Sequence, residues 1–185
     1  MDDQDETGII FDFSRREEVD RWRAIGDPVM GGRSESRIRH QGASMVFEGR
    51  ISFEQGGGFA SIRSEPAAHD LGGTGGVALT CGGDGRSYRF SVRCDDSFDG
   101  IAYQAPFKTT AGELRTICIC WREMQPTYHG RQIEGHPPLK PDTIRSFGFL
   151  IGERQEGPFL LGIYRLEAIG EGEHMPGTSG EEGEG

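Results

Sequence analysis

The stretch from residue 86 to residue 94, RSYRFSVRC, decides the fold class. Its apolar side chains, Tyr88, Phe90 and Val92, alternate with polar ones and therefore share one face of an extended strand. Such a strand has one face in a core and the other in water, which is typical of antiparallel sheets. The preceding run GGVALTC indicates another strand, and the Asp-Gly pair between the two runs favours a tight turn. We therefore predict an antiparallel hairpin at this point.

The same pattern recurs along the chain and predicts roughly nine to eleven short strands. Gly49 marks a break or bulge in the run ASMVFEGRISF, and a shift of apolar parity near Gly162 predicts a bulge in the last run. The strand-forming runs are ASMVFEGRISF, GFASIRS, GIAYQAPF, LRTICICW, IRSFGFLI and GPFLLGIYRLEAI. Together they indicate an all-β, antiparallel β-sandwich.

One short N-terminal helix is predicted at SRREEVDRW. Ser14 is placed to cap it, Glu17 to complete a capping box, and Val19 and Trp22 to form its apolar face. The stretch 124–143, which is rich in Pro, Gly and His, is predicted to be the one long loop.

Charge is distributed unevenly along the 185 residues. Nine of the 30 acidic residues lie at the two ends, 1–8 and 171–185, which contain no Lys or Arg, so the body is nearly neutral. Both ends lack the apolar residues that would offset the entropy of ordering, and we predict that they are disordered. The region 9–170 is then predicted to form a single β-sandwich domain.

Several classes of function are disfavoured by this composition. A near-neutral body without a basic run argues against nucleic-acid binding, and there is no apolar run of transmembrane length. The acidic start resembles neither a signal peptide nor a transit peptide, so we expect a cytoplasmic protein. No P-loop, nucleophile elbow or zinc-helix motif is present, and we expect a non-enzyme with no cofactor.

The four cysteines indicate neither a disulfide nor a metal site. In the predicted hairpin Cys81 faces Tyr88, which places Cys94 too far away for a bridge. Cys118 and Cys120 share one face of a strand, but no histidine gives a familiar zinc spacing. We expect buried, reduced thiols, and we expect the five histidines to be solvated residues of loops, turns or tails.

The segment GDPVMGGRSES, residues 26–36, sets a flexible methionine against two glycines. Glycines permit a tight bend, and methionine fills irregular gaps, so the segment could plug one end of the sandwich. The alternative is a binding edge that uses Asp27, Met30 and Ser34. Both interpretations stay open at the level of the residues.

Four blocks of sequence resemble the complex I intermediate-associated protein family. They are Trp22 with DPVMGGRS at 27–34, GGFASIR at 57–63, GDGRSY at 83–88 and GPFLL at 157–161. The resemblance covers about 9–169 and implies a galactose-binding-like jelly roll, without known catalytic residues, that acts as an assembly chaperone or binding domain. Pro28 and the missing transit peptide depart from the family pattern. The candidate binding residues carried over are Asp27, Met30, Ser34, Arg63, Asp84 and Arg86.

Two hypotheses about function follow from the resemblance. The first is a non-catalytic protein that binds client proteins, namely subunits of respiratory complex I (NADH:ubiquinone oxidoreductase). The alternative is a module that binds a carbohydrate or another small ligand. Such modules usually present exposed aromatic rings, whereas most phenylalanines here have the parity of core residues, with Trp121 as an exception. We therefore favour protein clients over carbohydrate.

Overall fold

The computed structural model describes residues 8–26, 35–54, 58–152 and 155–173. The described residues form thirteen strands, a single-turn α-helix α1 (Arg16–Val19) and 3₁₀ helices at Trp121–Glu123 and Pro141–Thr143. The strands are β1 (Ile9–Asp12), β2 (Trp22–Gly26), β3 (Glu35–Gln41), β4 (Ser44–Ile51), β5 (Ala60–Ser64), β6 (Thr74–Gly82), β7 (Ser87–Arg93), β8 (Ala102–Lys108), β9 (Leu114–Cys120), β10 (Gln125–Tyr128), β11 (Arg131–Gln132), β12 (Ser146–Ile151) and β13 (Gly157–Gly170).

The strands form two sheets that pack face to face. The six-stranded sheet has the order β3-β4-β13-β6-β9, with β1 also paired to β13, and the seven-stranded sheet has the order β11-β10-β8-β7-β12-β5-β2. Strand pairs within both sheets are antiparallel, as those of β4 with β13 and of β7 with β12 illustrate. This architecture confirms the predicted antiparallel β-sandwich.

Aromatic side chains fill the space between the sheets. Phe90 and Phe149 are fully buried, and their ring centroids lie 5.6 Å apart. The Trp22 indole stacks on Phe149 at 5.6 Å, and Phe11 meets the indole edge-on at 5.3 Å. Tyr88, Phe90 and Val92 are all buried, so the register read from alternation in SYRFSVR is confirmed.

The predicted hairpin between β6 and β7 is wrong. β6 pairs with β13 and β9 in the six-stranded sheet, whereas β7 pairs with β8 and β12 in the seven-stranded sheet. The turn at Asp84-Gly85 therefore carries the chain from one sheet to the other. Its backbone is held by Thr109, whose hydroxyl accepts a hydrogen bond from Gly85 N and donates one to Arg86 O. An Asp-Gly turn is compatible both with a hairpin within one sheet and with a crossing from one sheet to the other. The pairing of β6 with β13, which is distant in sequence, selects the crossing.

The two glycines that signalled bulges have different roles. The pairings of β4 run in continuous register past Gly49 on both sides, so the predicted break or bulge is absent there. Instead, a Cβ at Gly49 would lie 1.9 Å from Glu35 O, which shows that β3 approaches too closely for any side chain. In β13 the register with β6 shifts between Ile163 and Arg165, which confirms the bulge predicted near Gly162.

The helix is shorter than predicted, and its predicted cap is wrong. α1 covers only Arg16–Val19, and Ser14 instead forms hydrogen bonds with the Asp12 carboxylate through both its backbone N and its hydroxyl. Trp22 begins β2 and pairs with Ser64, because the core packing of its indole is worth more than another helical turn. The predicted loop 124–143 also contains structure, namely β10, β11 and a 3₁₀ helix.

The four cysteines are free thiols, as predicted, but they are not all buried. Cys81 is buried and burial raises the pKa of its thiol to about 11, whereas Cys118 is exposed on β9. Two histidines also differ from the expectation. His40 lies within β3 and its Nε2 contacts Phe13 O, and the His69 ring packs 4.9 Å from the Phe147 ring.

The predicted disorder of the two acidic ends falls largely on residues outside the described ranges and stays a prediction. In the ranges that the structure describes, no helix is long and apolar enough to cross a membrane. The same ranges hold no group of three or more His, Cys, Asp and Glu side chains arranged to hold a metal ion.

Candidate functional site

Asp84 lies at the point where the chain crosses between the sheets, and its carboxylate joins them. It accepts hydrogen bonds from Arg86 N at 3.0 Å, from the Tyr88 hydroxyl at 3.0 Å and from Leu160 N at 2.8 Å. Tyr88 is 1% exposed. Burial raises the pKa of the Tyr88 phenol, and the negative charge of Asp84 raises it further. The phenol therefore keeps its proton and donates a hydrogen bond to the carboxylate. Asp84 thus ties β7 of one sheet to β13 of the other.

Arg86 binds the segment that connects β12 to β13. Its guanidinium donates to Gln155 O at 2.6 Å and to Glu156 O at 3.1 Å, and its Nε lies 3.8 Å from the Asp84 carboxylate. The Gln155 side chain in turn brackets Ser87, accepting from its N and donating to its O. Asp84 and Arg86 therefore lie side by side, and both form bonds within the protein.

An open depression of about 710 Å³ lies beside Asp84, on the outer side of the six-stranded sheet. Its lining includes Arg37 and Glu48 from the first two strands of the sheet and Leu160 from β13. The Glu48 carboxylate accepts hydrogen bonds from both Arg39 and Arg37, and these bonds lower its pKa. The depression therefore has both signs of charge, and Glu48 is already satisfied by its neighbours.

Arg63 lies elsewhere, on the outer face of the seven-stranded sheet. Its guanidinium donates to Phe98 O at 2.9 Å and its Cζ lies 5.3 Å from the centroid of the Phe98 ring. Burial, and to a smaller extent the nearby positive charge of Arg93, lower the pKa of Arg63 to about 10. No hydrogen bond or ion pair in the described ranges connects Arg63 to Asp84 or Arg86.

The remaining three candidate residues, Asp27, Met30 and Ser34, fall outside the described residues. The structure describes the strands on either side of them: β2 ends at Gly26, which pairs with Ala60, and β3 begins at Glu35, which pairs with Arg50. The choice between a plug and a binding edge for this segment therefore stays a prediction.

Arg93 and Phe98 were not singled out from the sequence. Arg93 donates to Gly100 O at 2.7 Å, so that it and Arg63 both hold the connection between β7 and β8. A signal for Arg93 was present, because it lies on the polar side of the alternating run SYRFSVR. Its proximity to Arg63 depends on the pairing of β7 and β5 with β12, which the sequence does not reveal.

The fold places the chain in a recognisable class of proteins. It is similar to the family 11 carbohydrate-binding module from Clostridium thermocellum, solved in complex with a β-1,3-1,4-mixed-linked tetrasaccharide. The TM-score is 0.67 at 16% identity, and the match covers 88% of this chain and 95% of the module. An agarase is also similar, with a TM-score of 0.57 at 12% identity, over 86% of this chain and 24% of the enzyme. At these identities the likeness shows a jelly-roll β-sandwich and nothing about ligands.

Sequence comparison then identifies the family. A family model described as Complex I intermediate-associated protein 30 (CIA30) matches residues 11–163, and the chain belongs to this family. The mitochondrial protein of that name from Mus musculus is 26% identical over 176 residues, which cover 84% of this chain and 54% of the mouse protein. Its namesake from Neurospora crassa is 30% identical over 93 residues, covering 50% of this chain and 34% of the fungal protein.

Two consequences follow from these relatives. The chain spans about half the length of the mouse protein and about a third of the fungal one. The prediction of a cytoplasmic protein is contradicted, because both relatives are named as mitochondrial proteins. That prediction rested on the acidic composition of the first residues, which does not decide a location.

Proposed function

We propose that this chain is a non-catalytic binding protein that holds subunits of respiratory complex I during assembly. The observation that carries the proposal is the family match over 11–163, which runs from β1 well into β13 and so includes strands of both sheets. The relatives bear a name that associates them with complex I intermediates. A shared domain of this extent supports a shared kind of partner, although fold alone would not.

The contacts of the candidate residues suggest two roles. Asp84 and Arg86 use their polar groups on Tyr88, Leu160 N and the segment before β13, so we propose that they shape the surface rather than contact a client. Arg63 and the segment with Asp27, Met30 and Ser34 are the proposed client contacts. Polar side chains that contact a partner can contribute much to recognition.

Affinity purification tests this proposal. We expect a tagged chain, expressed in the organism that encodes it, to co-purify with complex I subunits, and the subunits to be identified by mass spectrometry. A variant with Asp27→Ala, Ser34→Ala and Arg63→Ala should keep the circular dichroism spectrum of the folded wild type and lose most of this capture. Arg115→Ala is the matched control, since Arg115 forms an exposed ion pair with Glu113 on the other sheet.

Carbohydrate binding is the competing outcome of the same experiment. The similarity to carbohydrate-binding modules shows the fold only, and therefore does not favour it. A glycan array probed with the purified chain distinguishes the two functions. Binding of a neutral glycan, together with no enrichment of complex I subunits, would overturn the proposal.

A further inference from the structure

The two sheets differ in the charge that their strands carry. The strands of the six-stranded sheet contain both signs, as the bonds of Glu48 to Arg37 and Arg39 illustrate. The strands of the seven-stranded sheet contain no Asp or Glu, although the whole chain has a net charge of −10. Their basic residues are Arg23, Arg63, Arg89, Arg93, Lys108 and Arg131.

Strand register places three arginines together on the outer face of this sheet. Arg63 on β5 lies directly opposite Arg23 on β2, and on its other side it is opposite Gly148 on β12. Arg93 on β7 is opposite Ser146, two residues along β12 from Gly148, and so shares their face. We call this surface, defined by Arg23, Arg63 and Arg93, the arginine face. Like charges directly opposite each other destabilise a sheet, so the fold bears a cost at this position.

The positive charges of Arg63 and Arg93 are only partly compensated within the protein. Both side chains are half-buried, and each guanidinium donates one hydrogen bond, to a backbone carbonyl. No carboxylate in the described ranges lies within ion-pair distance of either group. Burial lowers the pKa of both arginines, and the more distant charges of Asp95 (for Arg93) and of Asp99 (for both) offset part of this effect. Since a guanidinium has five N–H donors, the bonds to Phe98 O and Gly100 O use only one donor of each arginine.

The acidic residues nearest to the pair are engaged elsewhere. Asp96 forms an ion pair with Arg145 at 2.7 Å, and Asp99 contacts His129 Nε2 at 2.9 Å. Asp95 accepts hydrogen bonds from the backbone N and the hydroxyl of Ser97. The loop between β7 and β8 therefore supplies three carboxylates beside the arginine face without pairing any of them to Arg63 or Arg93.

The shape of the face suits an extended ligand that crosses the strands. Gly148 lies between Arg63 and Ser91 in strand register and adds no side chain of its own, and the Ser91 hydroxyl fills the space over it, since a Cβ at Gly148 would lie 2.6 Å from Ser91 Oγ. One residue from each of six neighbouring strands forms a row across the sheet, and all but the glycine are polar. In order, these residues are Arg23, Arg63, Gly148, Ser91, Gln104 and Gln125. Six strands at about 4.8 Å spacing give a row of about 24 Å, the length of roughly seven extended residues.

We propose that the arginine face binds an acidic, extended segment of a client protein, with carboxylates of that segment on Arg63 and Arg93. This inference rests on the proposed function, and it adds the chemistry of the partner. A planar guanidinium binds a carboxylate bidentately, which neutral hydroxyl ligands do not exploit. At contact distance the guanidinium groups of the arginine face attract an acidic segment, in spite of the three carboxylates beside the face and the acidic net charge of the whole chain.

A synthetic eight-residue peptide of alternating Glu and Asp with blocked ends is the probe. Isothermal titration calorimetry at low salt measures its binding to the full chain. We expect the double variant Arg63→Gln/Arg93→Gln to raise the Kd about tenfold, because it removes two charge-assisted contacts. The control Arg115→Gln makes an equal charge change per residue on the other sheet and should alter the Kd less than about twofold.

Two further measurements distinguish a loss of peptide binding from a loss of folding. Arg23→Gln removes a charge from the face without touching the bonds to Phe98 O and Gly100 O, and it should weaken binding by about threefold. In the wild-type chain, the side-chain Nε–Hε signals of Arg63 and Arg93 should shift in NMR spectra as the peptide is added, and that of Arg115 should not. Equal weakening by Arg115→Gln and by the double variant, or no shift of the two signals, would overturn the inference.

The remaining outcomes separate the inference from the proposed function. Tighter binding of an oligogalacturonate of equal charge than of the peptide would replace the acidic protein segment with an acidic glycan and overturn the inference. Undiminished capture of complex I subunits by the double variant would also overturn it, while the proposed function would stand. Peptide binding through the arginine face without any capture of these subunits by the wild type would reject the proposed function alone.

Discussion

Asp84 illustrates how much one polar side chain contributes when it lies between two sheets. The carboxylate serves a backbone N in its own turn, a buried phenol on β7 and a backbone N on β13. The sequence predicts the turn, because Asp-Gly pairs favour turns, but the partner on β13 is 76 residues away. The contact with β13 could be predicted from the sequence only if the pairing of the strands were already known.

Replacing Asp84 by Ala should lower the free energy of unfolding by about 2–4 kcal/mol, since the Tyr88 hydroxyl is left buried without its acceptor. Chemical denaturation followed by circular dichroism measures this loss. Tyr88→Phe removes only the phenol contact and should cost about 1 kcal/mol. An Asp84→Ala variant as stable as the wild type would contradict the role given to this carboxylate.

His69 predicts a dependence of stability on pH. Burial lowers its pKa from 6.5 to about 4, and the charges of Arg21 and Arg145 act in the same direction. Between these two values the unfolded chain binds a proton that the folded chain does not, so the contribution of neutral His69 to stability falls as the pH decreases from 6.5 to 4. Below pH 4 both states are protonated and the contribution is lost.

The melting temperature should therefore decrease from pH 6.5 to pH 4, and a His69→Phe variant should show a smaller decrease over the same interval. In the wild type, the Nε2 atom of His69 has no hydrogen-bond partner in the described part of the chain. A phenylalanine ring can therefore take the place of the imidazole between the rings of Phe11 and Phe147. His129→Phe is the control, because His129 is half-exposed. An equal decrease in melting temperature between pH 6.5 and pH 4 for the wild type and for His69→Phe would show that His69 does not titrate in this interval.

For the strands, alternation and glycine differ in how much they predict. Alternation placed Tyr88, Phe90 and Val92 in the core correctly, because the two faces of a strand are distinguished by the residues themselves. It could not reveal that β6 and β7 belong to different sheets, because pairing partners are chosen by contacts distant in sequence. Gly162 lay near a bulge, whereas Gly49 marks a close approach of β3.

Gly49→Ala should consequently disrupt the pairing of β3 with β4. The new methyl group would lie 1.9 Å from Glu35 O, and a backbone oxygen can yield only if β3 moves. We expect a loss of about 2–4 kcal/mol in the free energy of unfolding. Gly82→Ala is the control, since its Cβ would meet Glu113 O at an ordinary 3.6 Å. Equal stability of the two variants in urea denaturation would contradict the close approach.

For the whole molecule, the composition gives the balance of charge but not its distribution between the two sheets. The balance of charge over the body is nearly neutral, but the structure separates it into one sheet with paired charges and one whose strands are only basic. That separation depends on which strands join which sheet, and so it could not be read from the net charge. The family could be identified from four short blocks of sequence, and the family model matches residues 11–163.

A gene deletion tests most directly the proposal that this chain acts in the assembly of complex I. Its gene can be deleted in the organism that encodes it, and the membranes analysed by native gel electrophoresis with an in-gel NADH dehydrogenase stain. We predict that the band of fully assembled complex I decreases and smaller subassemblies accumulate, and that the wild-type chain restores the full complex while Arg63→Gln/Arg93→Gln restores it incompletely. A full-size complex I band of unchanged intensity in the deletion strain would contradict the claim.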